Sequence, residues 1–142
     1  NLIGLNVSYN SNLETLPTLP SLRKLDVSNT KIYYLKNLPE LVSLVAHKSH
    51  VNVSDLTTLK SLDVSKGRVD NLRRLRNLRK LNVSNTKIRF IKGLDKVEKL
   101  YAIQCRFLSY VDLKSLKVAY VYKCKRSTVN YLARKGVKIE DY

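Results

Sequence analysis

Seven apolar residues recur through the chain at an almost constant interval. Leu5, Leu25, Leu44, Leu62, Leu81, Leu100 and Ala119 are separated by 20, 19, 18, 19, 19 and 19 residues. Each anchors a Leu-x-x-Leu-x-Val pattern, complete in Leu2-Leu5-Val7, Leu22-Leu25-Val27, Leu59-Leu62-Val64 and Leu78-Leu81-Val83. Looser copies are Leu41-Leu44-Ala46, Val97-Leu100-Ala102 and Leu116-Ala119-Val121. A unit this short cannot bury its own apolar edge, whereas stacked neighbours can. The repeat therefore predicts a solenoid.

Each unit reads in two halves. In the first, Leu81 and Val83 alternate with Asn82 and Ser84, the period of a short, half-buried strand. In the second, apolar residues fall at every third position: Leu72, Leu75, Leu78, Leu81, then Ile91, Leu94, Val97, Leu100. Period 3 suits 3₁₀-type turns or a tight irregular arc better than an α-helix. The 142 residues fit one domain. An apolar share of 44% excludes wholesale disorder. No stretch approaches the roughly 18 apolar residues of a membrane span, and no apolar leader precedes the first unit. A start at Asn1 without any Met leads to the expectation of a processed or truncated piece of something longer.

The segment Leu22-Arg-Lys-Leu25-Asp-Val27-Ser-Asn-Thr30-Lys-Ile32 resembles the Leu-x-x-Leu-x-Leu-x-x-Asn-x-Leu core of the leucine-rich repeat family, and the likeness spans nearly the whole chain. The resemblance implies a right-handed α/β solenoid. It would be a horseshoe with a parallel β-sheet on its concave face and 3₁₀ or irregular structure on its convex side. Leu16-Pro17-Thr-Leu19-Pro20 is similar to the short Leu-Pro-x-Leu-Pro class of bacterial effectors; similar short units occur in proteins of large DNA viruses. About seven units would occupy residues 1–126. Residues 127–142 would form a helical cap and a last short strand, Val137-Lys-Ile139. Ser127 or Thr128 suits the helix N-cap, and Gly136 its C-terminal stop. The first unit shows no matching cap, which points to residues or another domain before Asn1.

In the family an asparagine five residues after the anchor turns inward and caps backbone at the bend. Here that column reads Asn10, Thr30, Ser49, Gly67, Thr86, Cys105, Cys124. Gly67 offers no side chain, so its unit should bend differently or use water. Cys105 and Cys124 read as two buried, reduced thiols filling this column, since parallel neighbours rarely orient Cβ atoms for a disulfide. His47 and His50 lie at a bend, with too few further ligands for a metal. No phosphate-cradling glycine loop, nucleophilic triad or carboxylate pair can be assembled, so we expect a non-catalytic chain with no cofactor and no metal. The triplets Asn6-Val-Ser8, Asn52-Val-Ser54 and Asn82-Val-Ser84 fit the glycosylation pattern but read as accidents of the repeat.

Charge is the remaining constraint. There are 27 Lys and Arg against 11 Asp and Glu, a formal net charge of +16, carried mostly by residues 60–142. Such a chain attracts polyanions or acidic surfaces. On the expected concave face the central column is Asn6, Asp26, Val45, Asp63, Asn82, Tyr101, Tyr120, Lys138. The next outward column is Ser8, Ser28, His47, Ser65, Ser84, Ile103, Tyr122, Glu140. Tyr101, Ile103, Tyr120 and Tyr122, with Lys99, Lys123 and Lys138, form the candidate partner-binding cluster; contact with the cap or a following domain is the competing reading. Arg68, Arg73, Arg74, Arg76, Arg79 and Lys80 form the densest basic run, either a solvated arc or a polyanion-binding one.

The leading expectation is a protein-interaction scaffold with an acidic protein partner. Alternatives are a nucleic-acid or polyanion binder, a structural part of a large assembly such as a viral particle, and the recognition part of a bacterial effector. Sparse cysteine leans towards an intracellular setting.

Overall fold

The computed structural model describes residues 1–141. Among these, the chain forms twelve strands of three residues. In chain order they are β1 (Gly4–Asn6), β2 (Lys24–Asp26), β3 (Ser43–Val45), β4 (His50–Asn52), β5 (Ser61–Asp63) and β6 (Arg68–Asp70). There follow β7 (Lys80–Asn82), β8 (Phe90–Lys92), β9 (Lys99–Tyr101), β10 (Tyr110–Asp112), β11 (Val118–Tyr120) and β12 (Lys138–Glu140). One helix, α1 (Arg126–Arg134), precedes the last strand.

The molecule is a parallel β-solenoid. Eight strands form one sheet in the order β1-β2-β3-β5-β7-β9-β11-β12, so the chain makes one turn between each neighbouring pair. The seven anchors lie in register at the middle of their strands, from Leu5 opposite Leu25 to Leu100 opposite Ala119. Two further parallel pairs, β4 with β6 and β8 with β10, form after the bend.

The period-3 half of each unit has a direct physical basis. In many of these steps the backbone N–H of an apolar residue donates to the carbonyl of the apolar residue three before it. Leu56 to Val53, Leu59 to Leu56, Leu75 to Leu72 and Leu78 to Leu75 are such bonds, at 3.0–3.1 Å. These chained turns keep every third side chain pointing inward, and among the described residues only Leu72–Arg74 is regular enough to be a 3₁₀-helix. The inward residues join the strand anchors in one continuous core, with Leu41, Leu59, Leu75, Leu78 and Leu94 fully buried. In the first unit Leu5, Val7, Leu13, Leu16 and Leu19 are only half-buried.

Bends close on side chains. Asn6, Asp26, Asp63 and Asn82 each accept the backbone N–H of the serine two residues on, at 2.8–3.0 Å. This local ring ends the strand and turns the chain. The residue after the serine, or its equivalent, is left-handed in all seven units, with φ of 52–64° from Tyr9 to Lys123. In the next column Thr30 and Thr86 donate to the carbonyls of Val27 and Val83 at 2.7 and 2.6 Å. Ser49, Cys105 and Cys124 reach back to the preceding unit, donating to the carbonyls of Val27, Val83 and Ala102. At Gly67 the unit is tight rather than water-filled: a Cβ there would lie 2.2 Å from the Ser49 carbonyl oxygen.

The C-terminal unit departs from the sequence expectation in two ways. Lys125 is the N-cap and caps without its side chain, while Ser127 and Thr128 lie inside α1. Thr128 is buried and donates instead to the Leu108 carbonyl at 2.8 Å, tying the helix to the preceding unit. The helix stops as expected at Gly136, φ 77°. Gly136 N–H donates to Ala133 and Val137 N–H to Leu132, the paired bonds of a Schellman stop. The helix and its stop consume two more residues than the expected spacing allowed. Ile139, not Val137, therefore pairs with Ala119.

Candidate binding surfaces

That register change relocates one predicted site residue. Lys138 pairs with Val118, in the column of Lys80 and Lys99, and Glu140 takes the place beside Tyr120. Lys138 and Glu140 form an ion pair, and the Glu140 carboxylate raises the Lys138 ammonium above its ordinary range. Lys138 thus closes the end of the sheet face rather than standing in its centre.

The tyrosine cluster is assembled by the parallel register. β9 and β11 place Tyr101 directly opposite Tyr120. Their rings stack at 4.4 Å between centroids with planes 2° apart. Lys99 Nζ sits over both rings, 5.5 Å from Tyr101 and 5.4 Å from Tyr120, and Lys80 Nζ lies 5.3 Å from Tyr101. The adjacent phenol groups, Tyr101 first, raise the Lys99 pKa, so the ammonium stays charged. Tyr122 is exposed, with Lys123 Nζ over its ring at 5.2 Å, and Ile103 is half-buried beside it. The face therefore offers flat apolar surface with fixed positive charge at its margin.

The second column differs from its predicted exposure. Ser28, Ser65 and Ser84 are buried. Ser28 and Ser84 hydroxyls accept the backbone N–H of His47 and Ile103 in the following units, both at 3.1 Å. Ser65 hydroxyl donates to Asp63 at 2.6 Å and meets His47 Nδ1 at 2.9 Å. The early units of the sheet are therefore polar but internally occupied.

The basic run does not form one patch. Arg74 pairs with Asp55 at 3.2 Å and Arg79 with Glu98 at 3.2 Å. Lys80 belongs to the tyrosine cluster, while Arg73 and Arg76 are exposed on the arc. Arg68 lies in β6 and lines a groove of about 730 Å³ with Lys48, His50, Lys66 and Lys87. Reading along the chain did not find this groove, because its basic residues come from three successive turns.

His50 Nε2 meets Asp70 Oδ2 at 2.8 Å, and this hydrogen bond holds the Asp70 carboxyl below its ordinary range. Tyr33 hydroxyl donates to the same oxygen at 3.4 Å. No group of three or more metal-ligating side chains occurs among the described residues. Cys105 is buried, Cys124 half-buried, and both are free. The neighbouring Cys105 thiol and burial push the Cys124 thiol far above its ordinary range. Among the described residues, no helix is long and apolar enough to cross a membrane. No protein-family model and no curated protein matches this chain.

Proposed function

We propose that the chain is a leucine-rich repeat horseshoe acting as a non-catalytic scaffold that grips an acidic protein segment on its concave sheet face. The Tyr101–Tyr120 stack beneath Lys99 carries this reading. Stacked rings are rigid, so little conformational freedom is lost when a partner covers them. Lys80, Lys99 and Lys123 mark the margin for carboxylates, and tyrosine is enriched among residues that dominate binding energy. The early units contribute little, since their Asn, Asp and Ser groups already bond their own backbone.

An array of peptides rich in Asp and Glu with interspersed apolar residues tests the proposal. Selected peptides are then measured by fluorescence anisotropy. Tyr101→Ala with Tyr120→Ala should weaken binding by about 2 kcal/mol or more, the size of a hot-spot loss. Lys99→Gln should act chiefly on the association rate and its salt dependence. Unchanged binding on Tyr120→Ala and Tyr122→Ala would remove the sheet face from consideration.

A further inference from the structure

The cations differ in their acidic neighbours. On the arcs and strand starts several are paired, Arg23 with Glu40, Arg74 with Asp55, Lys114 with Asp95, and Arg79 and Lys117 with Glu98, at 2.9–3.5 Å. Others there, such as Lys24, Lys60, Arg73 and Arg76, make no ion pair among the described residues. At the bends of units two to seven no Lys or Arg is paired among the described residues. The fourth residue after the anchor is Lys48, Lys66 and Lys123 in units three, four and seven. The sixth is Lys31, Arg68, Lys87, Arg106 and Lys125 in units two, four, five, six and seven. All eight side chains are exposed, and none makes an ion pair among the described residues. No Asp or Glu stands between the fourth and seventh positions after any anchor. His50, at the sixth position of unit three, is held by Asp70.

The backbone aligns this row. Lys48 N–H donates to Ser65, and Lys66 N–H to Ser84, so fourth positions stack one strand spacing apart, about 4.8 Å. Register places His50 opposite Arg68. The close approach at Gly67 lies among the groove-lining residues, between Lys66 and Arg68.

We propose that this row binds the phosphodiester backbone of a single-stranded nucleic acid without reading its sequence. Unpaired cations side by side repel one another, so the row weakens the fold unless a polyanion covers it. A flexible strand can follow such a row from turn to turn, whereas a duplex winds each backbone around its axis and away. Between the fourth and seventh positions of units two to five there is no aromatic residue. That part of the row thus lacks the aromatic anchors that dominate protein interfaces, which the sheet face has. It shares Lys123 with the sheet face but does not depend on that reading.

The test is fluorescence anisotropy with the full chain. The probes are a labelled thymidine strand of about 20 nucleotides, the corresponding duplex and a polyglutamate peptide, at about 50 and 200 mM salt. The strand should bind and weaken steeply with salt. Lys48→Asn, Lys66→Asn, Arg68→Gln and Lys87→Gln together should lower affinity at least about tenfold. They should also flatten the log–log salt slope by about 3, for four lost phosphate contacts. Asn stands at the left-handed fourth position in other units, as Asn29 and Asn85, so that backbone tolerates it. A control of equal charge loss, Arg23→Gln, Lys96→Gln, Lys114→Gln and Lys117→Gln, should change affinity by less than about threefold.

Should the first variant fail to fold by circular dichroism, Lys31→Gln, Arg106→Gln and Lys125→Gln replace it. Equal weakening by row and control variants would overturn the proposal, as would tighter binding of the duplex, of polyglutamate, or of none of the probes. The Tyr101→Ala, Tyr120→Ala variant should hold the strand normally, which separates failure of this inference from failure of the sheet-face proposal.

Discussion

At Gly67 the side-chain space is filled by a neighbouring backbone. Any Cβ would stand 2.2 Å from the Ser49 carbonyl oxygen, and backbone cannot swing aside as a flexible side chain would. Gly67→Ala should therefore destabilise the protein by about 1–3 kcal/mol or more, read from the urea midpoint. The unusual glycine in that column was visible in sequence, but its reason was not, because it lies in a residue 18 positions away. The Asn-Val-Ser and Asp-Val-Ser triplets were equally visible. Periodicity places Asn82 outward, but it does not show that Asn82 Oδ1 folds back onto Ser84 N–H at 3.0 Å, or that Ser84 then bonds Ile103. Side-chain to backbone closure is local chemistry that an alternating pattern does not encode.

Elements repeat this division between what pattern fixes and what it leaves open. The strand anchors follow from their spacing, since a one-residue slip would turn Leu81 or Leu100 to the surface. The chained turns follow from period 3. The last unit escaped because a helix replaces the arc. Helical rise is short, about 1.5 Å per residue, so the path back to the sheet needs more chain. Ile139 rather than Val137 then meets Ala119, so Glu140 takes the central place expected for Lys138, and Lys138 moves to the column of Lys99. The Schellman stop makes this joint testable. Gly136→Ala places a Cβ at φ 77° and should cost about 1–2 kcal/mol. A loss confined to the C-terminal unit would appear as faster amide exchange in α1 and β12 before the rest of the solenoid opens.

Over the whole molecule, charge decides more than shape. A net +16 on 142 residues is self-repulsive, and the unpaired bend row concentrates that repulsion. Added salt should therefore raise the melting temperature between about 10 and 150 mM, as screening shortens the reach of each cation. A melting temperature that falls or stays flat over that range would mean that the arc ion pairs outweigh the row. The total charge was legible from composition. Its distribution was not, because Arg73, Arg74, Arg76 and Arg79 are neighbours in sequence, whereas Lys48, Lys66 and Lys87 are neighbours only after folding. The tyrosine stack was legible, since Tyr101 and Tyr120 occupy equivalent places one unit apart.

The shared register of the stacked strands has a consequence for how such a chain can change length. Leu62 and Leu81 occupy equivalent places, so a copied block of 19 residues would insert between neighbours that already fit it. Tandem duplication or loss of one block preserves the reading frame of the stack, while a single-residue insertion within a strand scrambles inside and outside. Such a protein can lengthen or shorten in whole increments and keep its fold. Each increment would add one more bend to its edge, so the reach of that edge is a quantity that recombination can count out.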